Sequence, residues 1–188
     1  ISMAACTMGI GRSEYWDAIV NKTAMDEVRA FMDGKPCKLI GMDEPDALLW
    51  FVKAIQDYAA YTSAEEAARL YGAIVVDIVN FIRKQQHPRL FLHNNGLLWV
   101  DGTERPATWM CAVEDGRPIT PRTGYVVEHN ALWYNALHFA ADMLRLMNHE
   151  QMADLMDYQA EITRDSFVST FWNGLYLDDY VTAEEHNK

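Results

Sequence analysis

Helical spacing of apolar residues runs through most of the chain. Between residues 12 and 33, Trp16, Ile19, Val20, Val28 and Phe31 make a ragged apolar face. Gly34-Lys35-Pro36 ends that run, glycine being a good left-handed terminator. Asp43-Glu44-Pro45 opens a second helix, with a proline in its first turn and acidic residues at its positive end. Leu48, Leu49, Phe51, Val52, Ile55, Tyr58 and Ala59 follow at helical spacing. Ser63 with Glu66 forms a capping box for a third helix. Its doubled positions, Leu70/Tyr71, Ile74/Val75, Ile78/Val79 and Phe81/Ile82, mark a wide buried face.

From Gln86 to Val126 the periodicity disappears, and turn signals such as His87-Pro88, Asn94-Asn95-Gly96 and Asp115-Gly116 come at short intervals. Between them, Leu90-Phe91-Leu92 and Leu97-Leu98-Trp99-Val100 suit a short hairpin. Loops of that length usually have a task. Helix resumes near Val127 and runs to Met147. Asn148 with Gln151 reads as a second capping box, for a last helix over about 149 to 171. An aromatic, acidic turn, Phe171-Trp172-Asn173 through Asp179, closes the pattern. Helix pairs joined by short turns at one end and a long loop (about 86–126) at the other predict an all-α fold.

Composition narrows the function. The 188 residues suit one domain or a piece of a larger one, and at 50% apolar they can bury a core. A formal net charge of -11 argues against nucleic acid or anionic membranes as partners. No run of apolar residues is long enough for a transmembrane helix, and the start lacks the basic region of a signal peptide. Three cysteines, Cys6, Cys37 and Cys111, have no metal-ligand spacing and cannot all pair, which points to a reducing compartment or to a chain with little use for disulfides; the expected location is the cytoplasm. The six histidines include no HExxH pattern, and no cofactor fingerprint is present, so neither metal nor cofactor is expected. The opening on Ile1 and the ending at Lys188 read as a stretch of a longer chain.

The polar chemistry concentrates between Ala107 and Leu137. Glycoside hydrolysis needs two carboxyls across the scissile bond, aromatic faces for sugar rings and polar groups for hydroxyls. Trp109 and Trp133 would serve as stacking platforms; Arg122, Asn130 and Asn135 as hydroxyl partners; Asp115 and Glu128 as carboxyls. Asp43 and Asp46 join the candidates if the fold brings that helix end near. Each residue also has a plainer reading. Glu128 and Asp46 suit the first turn of a helix on dipole grounds alone. Asp115-Gly116 suits a turn, Trp133 a core, and Arg122 a brace through a carboxylate pair.

A family resemblance rests on five blocks. Thr108-Trp109-Met110, Thr120-Pro121-Arg122-x-Gly124 and Val127-Glu128-x-Asn130-Ala131-Leu132-Trp133-Tyr134-Asn135-Ala136-Leu137 form its centre. Asp46-Ala47-Leu48-Leu49-Trp50-Phe51 precedes them, and Phe171-Trp172 through Tyr176-Leu177-x-Asp179 follows. Together they resemble the glucosidase domain of glycogen debranching enzymes, from about residue 43 to the end, while residues 1 to 40 match little. The resemblance implies about half of an (α/α)6 toroid of antiparallel helix pairs, one catalytic domain cut short at its C-terminal side. It also implies amylo-α-1,6-glucosidase activity: release of the α-1,6-linked glucose stub at a glycogen branch, with inversion. The partners would be an α-glucan or glycogen and the rest of the parent chain, with self-association of the stretch alone. Cys111 stands where the family usually carries its proton-donating aspartate; a thiol near pKa ~8.5 stays protonated at neutral pH but is a weak hydrogen-bond donor. Asp115 is then the nearby substitute acid. Two alternatives remain open, a glycan-binding module that no longer cuts and a toroid hydrolase of another linkage. Trp109, Arg122 and Glu128 are expected on one pocket floor.

Overall fold

Each stretch with helical spacing is a helix in the computed structural model, which describes residues 14–108, 110 and 112–184. The first helix, α1, starts as Glu14–Trp16, widens into a π-helical stretch, Asp17–Ala24, and ends as Met25–Met32. That widening explains its ragged face, because i→i+5 bonding shifts the buried stripe out of the 3.6 period. Four α-helices follow: α2 (Ala47–Tyr61), α3 (Ala64–Arg83), α4 (Val127–Leu146) and α5 (Glu150–Phe171).

The helix ends are set by local chemistry. Ser63 caps α3 by accepting from the Glu66 N–H at 3.1 Å. The Glu66 carboxylate takes the Tyr58 hydroxyl at 3.2 Å and so ties α2 to α3. Gly34, Gln85 and Asn148 end α1, α3 and α4 in the left-handed conformation. After α4, Asn148 N–H donates to Arg145 C=O and His149 N–H to Leu144 C=O, both at 2.9 Å, a Schellman arrangement. The expected Asn148–Gln151 capping box is therefore absent. Asn148 finishes α4, and His149, with no side-chain cap bond, precedes α5.

The core gathers around α4, which packs against α2, α3 and α5. Ala136, Ala140 and Ala141 let its neighbours approach closely, with Trp133 and Leu137 filling the space between. A polar relay joins α1 to α3: Trp16 Nε1 donates to the Tyr71 hydroxyl (2.8 Å), which donates to Asn21 Oδ1 (2.7 Å). The Trp16 ring also stacks on Tyr58 at 4.9 Å between centroids.

The expectation of an all-α, part-toroid fold is overturned. Helix accounts for 56% of the chain, and the rest includes a four-stranded antiparallel sheet. Strands β1 (Phe91–Leu92), β2 (Leu98–Val100), β5 (Gly124–Val126) and β6 (Tyr180–Val181) pair in the order β1-β2-β5-β6. A separate hairpin joins β3 (Val113–Glu114) to β4 (Arg117–Pro118). The short hairpin within the loop is present, with Phe91 opposite Trp99 and Leu92 opposite Leu98; it is one edge of the sheet. Alternation in β2 and β5 splits two apolar clusters. Leu98, Val100 and Val126 face the helical core, whereas Trp99 and Tyr125, with Leu97 just before β2, pack with Phe171. A strand covered on both faces reads as a continuous apolar run, which hides its period.

Candidate active site

Arg122 is the hub of the site. Its backbone is gripped by Gly102, where an added Cβ would lie 2.7–2.9 Å from Arg122 main-chain atoms. Its side chain runs inward with 2% exposure. One guanidinium nitrogen donates to Glu128 Oε1 at 2.9 Å and approaches Thr108 Oγ1 at 3.5 Å. The other donates to the Asp179 carboxylate. A guanidinium out of water costs several kcal/mol unless paired, so the two carboxylates are what make this burial tolerable.

Three elements bring those partners in. β5 leads directly into α4, which puts Glu128 in the first turn, where the helix dipole favours a carboxylate. Asp179 enters next to β6, and its carbonyl accepts from Val127 N–H at 3.1 Å. Gly124 makes that crossing possible. At φ 129, a Cβ there would sit 2.3 Å from the Val181 carbonyl oxygen, so only glycine lets β6 pass so close. Thr108 opens the Thr108-Trp109-Met110 block, and its hydroxyl accepts from Met110 N–H at 3.2 Å.

The site faces outward through its acids. Glu128 has 26% of its side chain exposed and Asp179 60%. Burial raises the Glu128 carboxyl above its ordinary pKa; its own backbone bond and Arg122 pull it down, while Asp179 pushes the same way as burial. Glu128 is thus the more easily protonated of ordinary glutamates, held by a cation that still leaves acceptor positions open.

The remaining candidates scatter. Trp109 and Cys111 lie outside the described residues, so the expected shared floor is not tested; Arg122 and Glu128 are hydrogen-bonded to each other. Asn130 is fully buried: its amide nitrogen donates to Leu98 C=O (3.1 Å) and Val126 C=O (3.0 Å), and its oxygen accepts from Leu98 N–H (2.7 Å). It stitches α4 to β2 and is not a hydroxyl partner. Trp133 is fully buried in the core, which removes it as a platform. Asp115, with φ 49, and Gly116, with φ 78, form the exposed turn of the β3–β4 hairpin, the plainer of its two readings. Asn135 lies on α4, partly exposed, two turns beyond Glu128 on the same face.

Asp46 precedes α2, accepts from Trp50 Nε1 at 3.1 Å, and is raised in pKa mainly by burial. It neighbours a different network, in which Arg89 binds Glu44 at 2.6 Å and Arg105 binds Asp43 at 2.7 Å. A concavity of about 310 Å³ beside that network is lined by Arg89, Phe91, Trp99, Asp101, Glu104 and Arg105, with no residue of the Arg122 cluster.

Sequence reasoning on single sites missed Asp179 and Thr108, although both stand in quoted blocks. The signal that finds Asp179 is Arg122 itself: a buried arginine calls for carboxylates, and Glu128 answers one side of the fork only. Among the described residues no group of three or more His, Cys, Asp or Glu is placed to hold a metal ion, and no helix is long and apolar enough to cross a membrane.

Thr108, Arg122, Glu128 and Asp179 come from separate blocks of the sequence and meet at one guanidinium. A search of curated proteins finds no match. A protein-family model described as Amylo-alpha-1,6-glucosidase matches residues 39–188, the stretch in which all these blocks lie. The chain belongs to the amylo-alpha-1,6-glucosidase family.

Proposed function

We propose that the chain is part of a glycoside hydrolase that releases α-1,6-linked glucose stubs from glycogen-type α-glucan with inversion, in the cytoplasm. One observation carries the reading: the blocks that define the resemblance deliver Thr108, Arg122, Glu128 and Asp179 to one half-open cluster. Glu128 and Asp179 keep free lone pairs for glucose hydroxyls, and Arg122 fixes both carboxylates. The proton reaches the leaving oxygen from the side chain at position 111, and the opposing carboxyl comes from elsewhere in the parent chain. Inversion places these two groups roughly 6.5–9.5 Å apart, with a water between. The exposed Leu155, Tyr158 and Val168 of α5 support packing against the rest of that parent, or self-association without it.

Cys111 favours a second reading, a pocket that binds the stub and does not cut it, since a thiol is a poor general acid and such help is typically worth about 10²–10⁴-fold. Glucose release from a singly branched maltooligosaccharide by the parent chain, with Cys111 and with Cys111→Asp, separates the two. Activity in both supports hydrolysis in the natural protein. Activity in the Cys111→Asp form alone supports binding without cleavage. Activity in neither removes this substrate.

A further inference from the structure

The turn between α5 and β6 presents an unusual surface. Trp172, Leu175, Tyr176 and Leu177 are 50%, 85%, 64% and 48% exposed in succession. Apolar residues this bare on a mobile loop would need no explanation, but this loop is built. Trp172 and Leu177 bridge each other, Asn173 N–H donates to Tyr176 C=O at 3.2 Å, and Asp178 N–H donates to Phe171 C=O at 2.7 Å. The Asn173 side chain accepts from the Leu175 and Tyr176 N–H groups at 3.0 and 3.1 Å and donates to Asp178 Oδ1 at 2.8 Å. Phe171 beneath is fully buried in the sheet cluster, and Asp179 just beyond is pinned to Arg122. The backbone of the turn that carries the two aromatic residues is therefore fixed, and it runs directly into Asp179 of the Arg122 cluster.

We propose that Trp172 and Tyr176 form a docking subsite for the α-1,4-linked glucan chain that carries the branch. This rests on the function proposed above and deepens it. A site that takes one α-1,6-linked glucose necessarily leaves the main chain outside, attached through the leaving oxygen. That chain is neutral, long, and exposes apolar C–H faces with hydroxyl edges. Rigid aromatic planes flanked by the amide and carboxylate of Asn173 and Asp178 match it, and the protein's net charge of -11 disfavours a polyanion at the same place. The turn is continuous with the cluster through Asp179, which places the subsite at its rim.

The test is calorimetric binding to the parent chain of two ligands, a singly branched glucosyl-maltooligosaccharide and isomaltose, which has the α-1,6 bond but no main chain. Trp172→Ala and Tyr176→Ala are expected to weaken the branched ligand at least tenfold and isomaltose less than twofold, with Trp172→Tyr recovering most of the loss. Equal loss for both ligands overturns the subsite and leaves a structural role. Unchanged affinity for the branched ligand overturns it too, and if the variants instead abolish self-association in sedimentation, the patch is a protein interface. A wild-type chain that binds neither ligand overturns the proposed function and the subsite with it.

Discussion

Arg122 is buried with 2% of its side chain exposed, and the energetics of the site follow from that one burial. Hydrogen bonds to a charged group contribute about 1.5–3 kcal/mol, so Glu128→Ala should lower stability by about 2 kcal/mol, read from urea denaturation. Glu128→Gln, which keeps an acceptor for the guanidinium, should cost under about 1 kcal/mol. A larger loss for Asn130→Leu, about 3 kcal/mol, is expected because it strands the Leu98 N–H and two carbonyls in the interior. If Asn130→Leu is neutral, the stitch between α4 and β2 is not what holds that junction. The sequence shows why Arg122 and Glu128 were readable and Asn130 was not. An arginine and a glutamate close in the chain pair whichever way the loop runs, whereas helical spacing does not say whether a polar residue beside Trp133 faces a ligand or the interior.

At the scale of elements, helices were legible and the sheet was not. Helices α2 to α5 repeat their apolar stripe over fifteen to twenty-two residues. The strands are two or three residues long, too short for any period to register, and β6 lies far along the chain from its partner β5. Glycine was the available clue. Gly124 is squeezed against the Val181 carbonyl, so Gly124→Ala should part β5 from β6, pull Asp179 off Arg122 and cost at least about 2 kcal/mol. At the end of α4 the opposite change helps. Asn148 holds a left-handed φ of 63 that glycine adopts without strain, and Asn148→Gly should stabilise by up to about 1 kcal/mol in thermal unfolding. A destabilised Asn148→Gly would mean that the side chain does cap α5.

For the whole molecule, acid is the weak side. His87 and His129 are buried in the core and held neutral, with burial the main cause in both, at about 4 and about 3 respectively. The His87 Nδ1 accepts from the Arg89 and Leu90 N–H groups, which fixes its neutral form. In the unfolded chain both rings take up a proton near pH 6.5. Stability is therefore complete above that pH and falls as pH drops towards 4, by about 1.4 kcal/mol per unit for each histidine. A urea midpoint that is flat between pH 7 and pH 5 would contradict this. The same molecule carries a site whose parts lie on three elements that only the folded chain brings together, and whether that site serves glucose or merely braces the loop is settled by one comparison. Calorimetric affinity for a singly branched glucosyl-maltooligosaccharide should fall at least tenfold in Glu128→Gln while the melting temperature moves by a few degrees at most. Unchanged affinity, or a loss that only tracks melting, would mean that Arg122, Glu128 and Asp179 hold the fold and nothing else.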